Sequence, residues 1–394
     1  PGGVIVFTLR TDFYEDDDMT VRSRMTELQE SSLWELVEVT EPEQYLPNKD
    51  PDALFQVWCF RVTDMKYPPL DEDLVEAVET ALTSDSQVKR FDHRHIWNST
   101  ASRLYNQYIV CPQYYLNDCE EEILRSNAEE VLGNEEVVVE LGCGSAQKVK
   151  HLLNAADQSE EVSGDLRYVP IDLSPGALNS TREEIEKAFN QRIPVEPIQA
   201  PFEEVLPRMG NHHNKLILFF GSSIGNLESL EETIAFLQMV REGMHEGDRF
   251  LVGMDLHKEE RVLRDAYEAG EPNRLFFLNI VRRLNDELGA NLDLTEFYQQ
   301  STYDLEDSYR GITTRCVNFK LVTRHTQEVD LPRIGMKSEL KAGEAVQVGI
   351  SRKFRTRDIE QLASHSGFEL RRQWFDQRQW FSLNELVPAV DSVN

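Results

Sequence analysis

The sequence predicts an α/β protein: a Rossmann-like sheet of mostly parallel strands, interrupted by an inserted antiparallel β-lobe and preceded by a β-rich segment. Three observations carry that prediction. Between residues 135 and 254 short apolar runs alternate with amphipathic stretches, the mark of parallel strands covered by helices on both faces. Beyond residue 288, "ITTRCVNFKLVTRHTQEVDL" and "AVQVGISRKF" are rich in β-branched residues and alternate with a two-residue period, as antiparallel strands do. Residues 4–10, 33–39 and 54–62 are three further β-rich runs.

Taken in order, the first two of those runs are separated by a polar, helical stretch near 18–30, and all three belong to a segment spanning 1–65. The prolines and acids of "TDMKYPPLDED" open a linker over 66–90, which carries an amphipathic helix at 74–82. Residues 91–133, largely helical, form a substrate-side segment. The alternating region reads strand 136–140, helix 146–156, strand 167–171, helix 175–189, strand 194–199, helix 202–207, strand 215–220, helix 229–243 and strand 248–254. A helix near 273–288 follows. "TRDIEQLASHSGFELRRQWFDQRQWFSLNEL" then returns to helix, strand, turn and strand, so residues 134–284 and 351–394 make one sheet domain with 285–350 inserted.

Composition narrows the partners. The 41 basic and 70 acidic residues leave a net charge of −29, widely spread with small clusters at Glu15 to Asp18 and Asp71 to Asp73; such a surface repels phosphate backbones, so no nucleic acid is expected. No apolar run approaches the roughly 20 residues of a spanning helix, so no membrane is expected either. Cys59, Cys111, Cys119, Cys143 and Cys316 fall at no metal-ligand or redox spacing and read as reduced thiols of a cytoplasmic protein. His212 and His213, in "GNHHNK", have no carboxylate or cysteine nearby in sequence, so no metal is expected. The start, "PGGVIVFTLR", has neither initiator Met nor signal peptide and reads as a chain cut from a longer one.

The chemistry sits at strand ends. In doubly wound sheets ligands bind at the carboxyl ends of the strands, and "VVVELGCGSAQKV" places Glu140, Gly142 and Gly144 there. A diphosphate loop would read G-x-G-x-x-G; here the third position is Gln147 and an acid precedes the first glycine. That pattern suits a ligand with a cationic amino-acid tail, such as S-adenosylmethionine. Asp172 closes the second strand in "RYVPIDLS", where a carboxylate takes ribose hydroxyls. In "KLILFFGSSIGNLE" a buried strand runs into a turn that ends in an amide, Asn226.

These residues also carry a resemblance. "YNQYIVCPQYYLNDCEEEIL", "ELGCGSAQK", "YVPIDLSPGAL", "FFGSSIGN", "GMDLHKEERVLRDAYEAG", "LNDELGANLDLTEF" and "SRKF", in this order over about residues 90–385, resemble the histidine Nα-methyltransferases of ergothioneine biosynthesis. The resemblance implies a class I methyltransferase fold and transfer of methyl groups from S-adenosylmethionine, leaving S-adenosylhomocysteine, to an amino acid's α-amine, up to the trimethylated betaine. It implies that Glu140, Gly142, Gly144, Lys148, Asp172, Phe202, Gly221 and Ser222 hold the cofactor. Asn226 and Tyr267 would hold the substrate's head group as the catalytic pair, with Tyr114, Ser351, Gly349 and Trp97 around its side chain. Residues 1–65 look like the tail of a second class I methyltransferase, implying a bifunctional fusion, or self-association through open sheet edges.

Three departures matter. Gly349 stands where the histidine enzymes carry a glutamate that grips the imidazole, Trp97 where they carry a tyrosine, and Pro201 where an acid contacts adenine, although Phe202 can stack and Glu203 substitute. An unpaired buried polar ring costs a few kcal/mol, so histidine itself is disfavoured. A larger, less basic or sulfur-substituted side chain suits the altered wall. Two other readings stay open: a methyltransferase for a non-amino-acid amine or thiol-bearing histidine derivative, and a non-catalytic methyltransferase-like module.

Overall fold

The computed structural model describes residues 4–10, 34–40, 43–44, 54–62, 67–83, 88–158, 166–207, 214–268 and 270–389. The expected helical stretch near 18–30, the acidic cluster Glu15 to Asp18 and the pair His212–His213 lie outside them. The chain folds as two compact units, the smaller drawn from Pro1–Leu104, Phe276–Tyr298 and Val322–Val346, the larger from Tyr105–Leu275, Gln299–Leu321 and Gln347–Asn394.

In the smaller unit, strand Leu54–Val62 pairs antiparallel with Val4–Arg10 on one side and Trp34–Val39 on the other, and the short Glu43–Gln44 also pairs with it. The helix Glu72–Thr83 buries Leu74, Val78 and Ala81. Arg283 ties this unit together, donating to Asp71 Oδ2 (2.8 Å), to the backbone of His95 (3.0 Å) and to Glu287. A hairpin of Gln327–Leu331 and Met336–Leu340 completes it.

The larger unit contains helix α1 (Tyr115–Val131), followed by β1 (Val137–Leu141), α2 (Gln147–Gln158), β2 (Arg167–Asp172), α3 (Pro175–Ala188), β3 (Ile198–Gln199), α4 (Phe202–Val205) and β4 (Lys215–Phe219). Helix α5 (Leu230–Glu242), β5 (Arg249–Asp255) and α6 (Glu260–Tyr267) follow, then the long strands β6 (Phe297–Tyr309), β7 (Ile312–Thr323) and β8 (Ala345–Lys353). Helix α7 (Thr356–His365), β9 (Phe368–Phe375) and β10 (Phe381–Pro388) close the chain.

The central sheet runs β9-β10-β5-β4-β1-β2-β3. Strands β1 to β5 are parallel, and β10 and β9 are antiparallel additions at the β5 edge. Its central strands are apolar because both faces are covered: every residue of β1 and β4 is buried. Helix starts follow local chemistry, with Ser174 capping Ala177 N ahead of Pro175 in α3 and Ser229 capping Glu232 N in α5. The expected strand over 194–199 shrinks to Ile198–Gln199 plus a bridge between Tyr168 and Val195, because Pro194 and Pro197 donate no ladder hydrogen bond. At the amino end of β4, Lys215 Nζ meets Asp248, both side chains fully buried. Strands β6, β7 and β8 are neighbours in a separate sheet.

Candidate active site

The turn leaving β1 has Gly142 at φ 71° and Gly144 at φ 48°, left-handed conformations that glycine adopts without steric cost. Gly142 N donates to Ile171 O at 2.8 Å, which joins the ends of β1 and β2. At the end of β2, Asp172 accepts from Ser174 N (2.9 Å) and Gly144 N (3.4 Å); burial nevertheless pushes its carboxyl above the usual range. A side chain at Gly144 would meet nothing within 4 Å, and one at Gly142 would touch the Phe202 ring at 3.7 Å. An open backbone cradle, a half-buried carboxylate and an overlying aromatic ring fit the adenosyl and amino-acid parts of S-adenosylmethionine.

Glu140 and Lys148 are placed differently. Glu140 is 2% exposed and accepts a short hydrogen bond from the Tyr168 hydroxyl; burial pushes it up to about 8 against the pull of Tyr168 and Lys148. Lys148 Nζ pairs with Glu120 at 2.6 Å, and Glu120, reaching in from α1, accepts from Gly221 N at 2.8 and 3.1 Å. The turn after β4 is thereby held from beneath. Gly221 and Ser222 are both left-handed, at φ 74° and 55°, and Ser222 Oγ accepts from Asp255 N at 2.9 Å. A non-glycine residue in this region is strained and persists where its surroundings over-determine it.

Asn226 ends this turn half-buried, and among the described residues its side chain has no hydrogen-bond partner. The turn abuts β8: a Cβ at Gly225 would lie 2.9 Å from Arg352 O and 3.3 Å from Arg352 N. Arg352, fully buried, donates to Asp307 (2.8 Å), Thr314 (2.7 Å) and Leu227 O (3.3 Å), and Asp307 accepts from Leu230 N at 2.6 Å.

The opposite face of β8 carries Gly349, Ser351 and Lys353, since alternate strand residues share a side. Ser351 Oγ and the Tyr267 hydroxyl are 2.9 Å apart. Lys353 Nζ donates to both, at 2.7 and 2.8 Å, and pairs with Asp255 at 2.6 Å. Asp255 also takes Lys258 and the Tyr115 hydroxyl. Burial would raise Asp255, but the two lysines hold it below the ordinary carboxylate range. Burial brings Lys258 down to about 8 and lowers Lys353 as well. Tyr114 lies edge-on to Tyr267 with ring centroids 5.9 Å apart and packs on Tyr108 at 4.4 Å. Gly349 adopts φ 147°, a region that favours glycine.

Thus Tyr114, Tyr267, Ser351 and, through Gly225, the Asn226 turn are connected within the larger unit. Trp97 belongs to the smaller unit, where its Nε1 donates to His93 Nδ1 at 3.2 Å and its ring meets Phe276 edge-on at 5.2 Å; burial holds His93 down at about 4. Glu203 is exposed on the short α4. Sequence reasoning missed Asp255, Lys258, Lys353, Tyr115 and Glu120. Asp255 was within reach, because it ends β5 at the sheet's ligand-binding edge; Glu120 has no sequence signal, lying mid-helix among other acids.

A doubly wound sheet with antiparallel strands added at one edge, a glycine turn after β1 and an acid closing β2 defines a class I S-adenosylmethionine-dependent methyltransferase. The chain belongs to the histidine-specific, S-adenosylmethionine-dependent methyltransferase family, whose model matches residues 74–388. It is an S-adenosylmethionine-dependent N-methyltransferase. Histidine N-alpha-methyltransferase of Mycolicibacterium smegmatis is 27% identical over 302 residues, covering 76% of this chain and 90% of that protein. N-methyltransferase benX of Aspergillus terreus is 23% identical over 319 residues, covering 76% and 85%. Among solved structures, the 1,6-didemethyltoxoflavin-N1-methyltransferase of Burkholderia thailandensis superposes with a TM-score of 0.39 at 10% identity, covering 89% of this chain and all of that one. No described helix is long and apolar enough to cross a membrane.

Proposed function

We propose that the enzyme methylates the α-amine of an amino acid whose side chain is not an imidazole gripped by a carboxylate. One observation carries the reading: the turn bearing Asn226, whose amide has no hydrogen-bond partner among the described residues, abuts β8 at Arg352, between Ser351 and Lys353. An amide and a hydroxyl pair on adjoining elements suit an amine and a carboxylate, the groups every amino acid shares. Gly349, on the Ser351 face, supplies no carboxylate to a basic ring.

In this reading Gly142, Gly144, Asp172 and Phe202 hold the cofactor, while Glu140, Lys148, Gly221 and Ser222 shape its surroundings. When bound, S-adenosylmethionine supplies an electrophilic methyl on a sulfonium. Methyl transfer needs the unprotonated amine in line at about 3 Å, so positioning supplies most of the catalysis. The Asn226 carbonyl oxygen accepts an amine N–H and aims the lone pair without competing for the proton, which leaves to water. The Tyr267–Ser351 pair receives the carboxylate; Ser351, expected beside the side chain, joins the head-group site because its hydroxyl bonds to that of Tyr267. The face of Tyr114 suits the fixed positive charge of a trimethylated product.

The test is incubation with labelled cofactor and the twenty amino acids beside their decarboxylated amines, followed by mass spectrometry for gains of one to three methyl groups. A carboxylate-bearing product is expected, with histidine a poor substrate; methylation of amines alone overturns the reading. Self-association through residues 1–65 remains part of the proposal, supported by the exposed Val4, Val6, Leu36 and Val37, and sedimentation velocity of the chain with and without that segment checks it.

A further inference from the structure

The group that organises the substrate side is Lys353, which the proposed chemistry leaves without a task. Its side chain is wholly buried, and its three contacts are all acceptors: Asp255 Oδ2 at 2.6 Å, Ser351 Oγ at 2.7 Å and the Tyr267 oxygen at 2.8 Å. An ammonium has three N–H donors and no acceptor, so this arrangement suits the charged form and fills it. The consequence falls on the two hydroxyls. Each already accepts from Lys353, and they share one hydrogen bond with each other. Two hydroxyl hydrogens minus the one used between them leaves one, and it points away from the lysine. The pair is thereby wired as a donor.

Charge gives the same answer independently. The enclosed cluster holds one carboxylate, Asp255, against two amines, Lys258 and Lys353. Around it, burial raises Tyr115 and Tyr267 well above their ordinary values, pushes the Cys119 and Cys316 thiols up to about 12 and 11 and lowers His257, while the buried Asp376, acting through Cys119, is paired with Arg378. Arg352, next in sequence, faces the other side of β8 and pairs with Asp307. With both lysines protonated, as the three acceptors around Lys353 favour, the cluster is one negative charge short among the described residues. Unpaired buried charge is unfavourable, and an incoming anion at the hydroxyl pair supplies what is missing.

We infer that Lys353 is a positioning residue that makes Tyr267 and Ser351 a receptor for a carboxylate, and so sets the enzyme's preference for amino acids over the corresponding amines. This rests on the proposed amino-acid reading. It adds a residue that touches no substrate and acts through the two hydroxyls.

The variant Lys353→Met tests it. Removing the ammonium leaves Asp255 still paired with Lys258 and bonded to Tyr115, so the cluster stays balanced and the fold should persist. Undiminished S-adenosylhomocysteine binding by calorimetry checks that it does. The probes are matched pairs: histidine and histamine, tyrosine and tyramine, tryptophan and tryptamine. In the native protein the acid of at least one pair is expected to be preferred. In Lys353→Met the KM for that acid should rise by about tenfold or more, the effect of losing a charge-assisted donor network, while kcat/KM for its amine stays within about threefold, a merely structural loss being expected to lower both. Tyr267→Phe, which removes one of the two hydroxyls, should compress the same ratio. An acid preference that survives Lys353→Met overturns this inference alone. Preference of the native protein for the amine in every pair overturns the amino-acid reading and the inference with it.

Discussion

Replacing Glu140 by glutamine should change how stability depends on pH, and the size of the change follows from its burial. The side chain is 2% exposed at the end of β1, with Tyr168 donating to it. Burial raises it from 4.5 to about 8, with Glu120 and Asp172 adding to the rise and Tyr168 and Lys148 opposing it. Below pH 4.5 the carboxyl is protonated in folded and unfolded chains alike. Between 4.5 and 8 the folded state keeps a proton that the unfolded state has lost, so stability falls as pH rises, and above 8 the loss is complete. A span of about three and a half pH units at roughly 1.4 kcal/mol each sets the loss at about 3–5 kcal/mol. Glutamine matches the protonated acid in shape and does not titrate. Urea unfolding of the native protein and of Glu140→Gln at intervals from about pH 4.5 to about 8.5 should therefore show nearly equal stabilities at the acid end and a more stable variant at the alkaline end. Tyr168→Phe, which removes a hydrogen bond favouring the charged form, should move the native transition to higher pH. A stability difference between the native protein and Glu140→Gln that stays constant across the range would refute the reasoning.

Other expectations follow from the same kind of accounting. Asp248→Asn removes the carboxylate paired with the fully buried Lys215 and should cost about 3–5 kcal/mol in urea unfolding. Gly349→Ala and Gly349→Glu should lose similar stability, about 1–3 kcal/mol each, because the cost at φ 147° lies in the backbone rather than in side-chain size; a harmless alanine would show that the strand relaxes. If the cationic tail of the cofactor lies beside Glu140, S-adenosylhomocysteine binding near neutral pH should release a fraction of a proton, seen as a binding heat that varies with the ionisation enthalpy of the buffer, and Glu140→Gln should abolish the dependence.

The sheet was legible because burial on both faces imposes apolar composition: β1 and β4 are enclosed and read as unbroken apolar runs. Where proline interrupts that logic, at Pro194 and Pro197, the strand shortens to two residues. The charged cluster was illegible for a different reason. Asp255, Lys258 and Lys353 look like ordinary surface charges in sequence, and only the fold shows that each is enclosed and paired. In β8 every residue from Val346 to Lys353 is buried, so the alternation that identified the strand says nothing about which polar side chains face solvent. Asn226 was visible because an amide directly after a buried strand and a glycine turn is unusual; that it lies against Arg352 depends on an approach between residues far apart in sequence.

That approach separates two jobs within one strand. On one face of β8, Arg352 pins the backbone of the Asn226 turn through Leu227 O and, through Asp307, the start of α5. On the other, Ser351 and Lys353 form the hydroxyl and charge network with Tyr267 and Asp255, and Gly349 lies two residues further along the same face. The period of two places the Arg352 side chain and those of Ser351 and Lys353 on opposite sides, while the Asn226 turn meets the strand at the Arg352 backbone, so a substitution at 349 alters what lies beside Ser351 without displacing the Arg352 anchor. The reaction geometry held by the turn can therefore stay fixed while the accepted side chain changes. In the proposed reading, a chain of the histidine-specific family, matched over residues 74–388, would thus keep the Asn226 turn in place with a glycine rather than a carboxylate at 349.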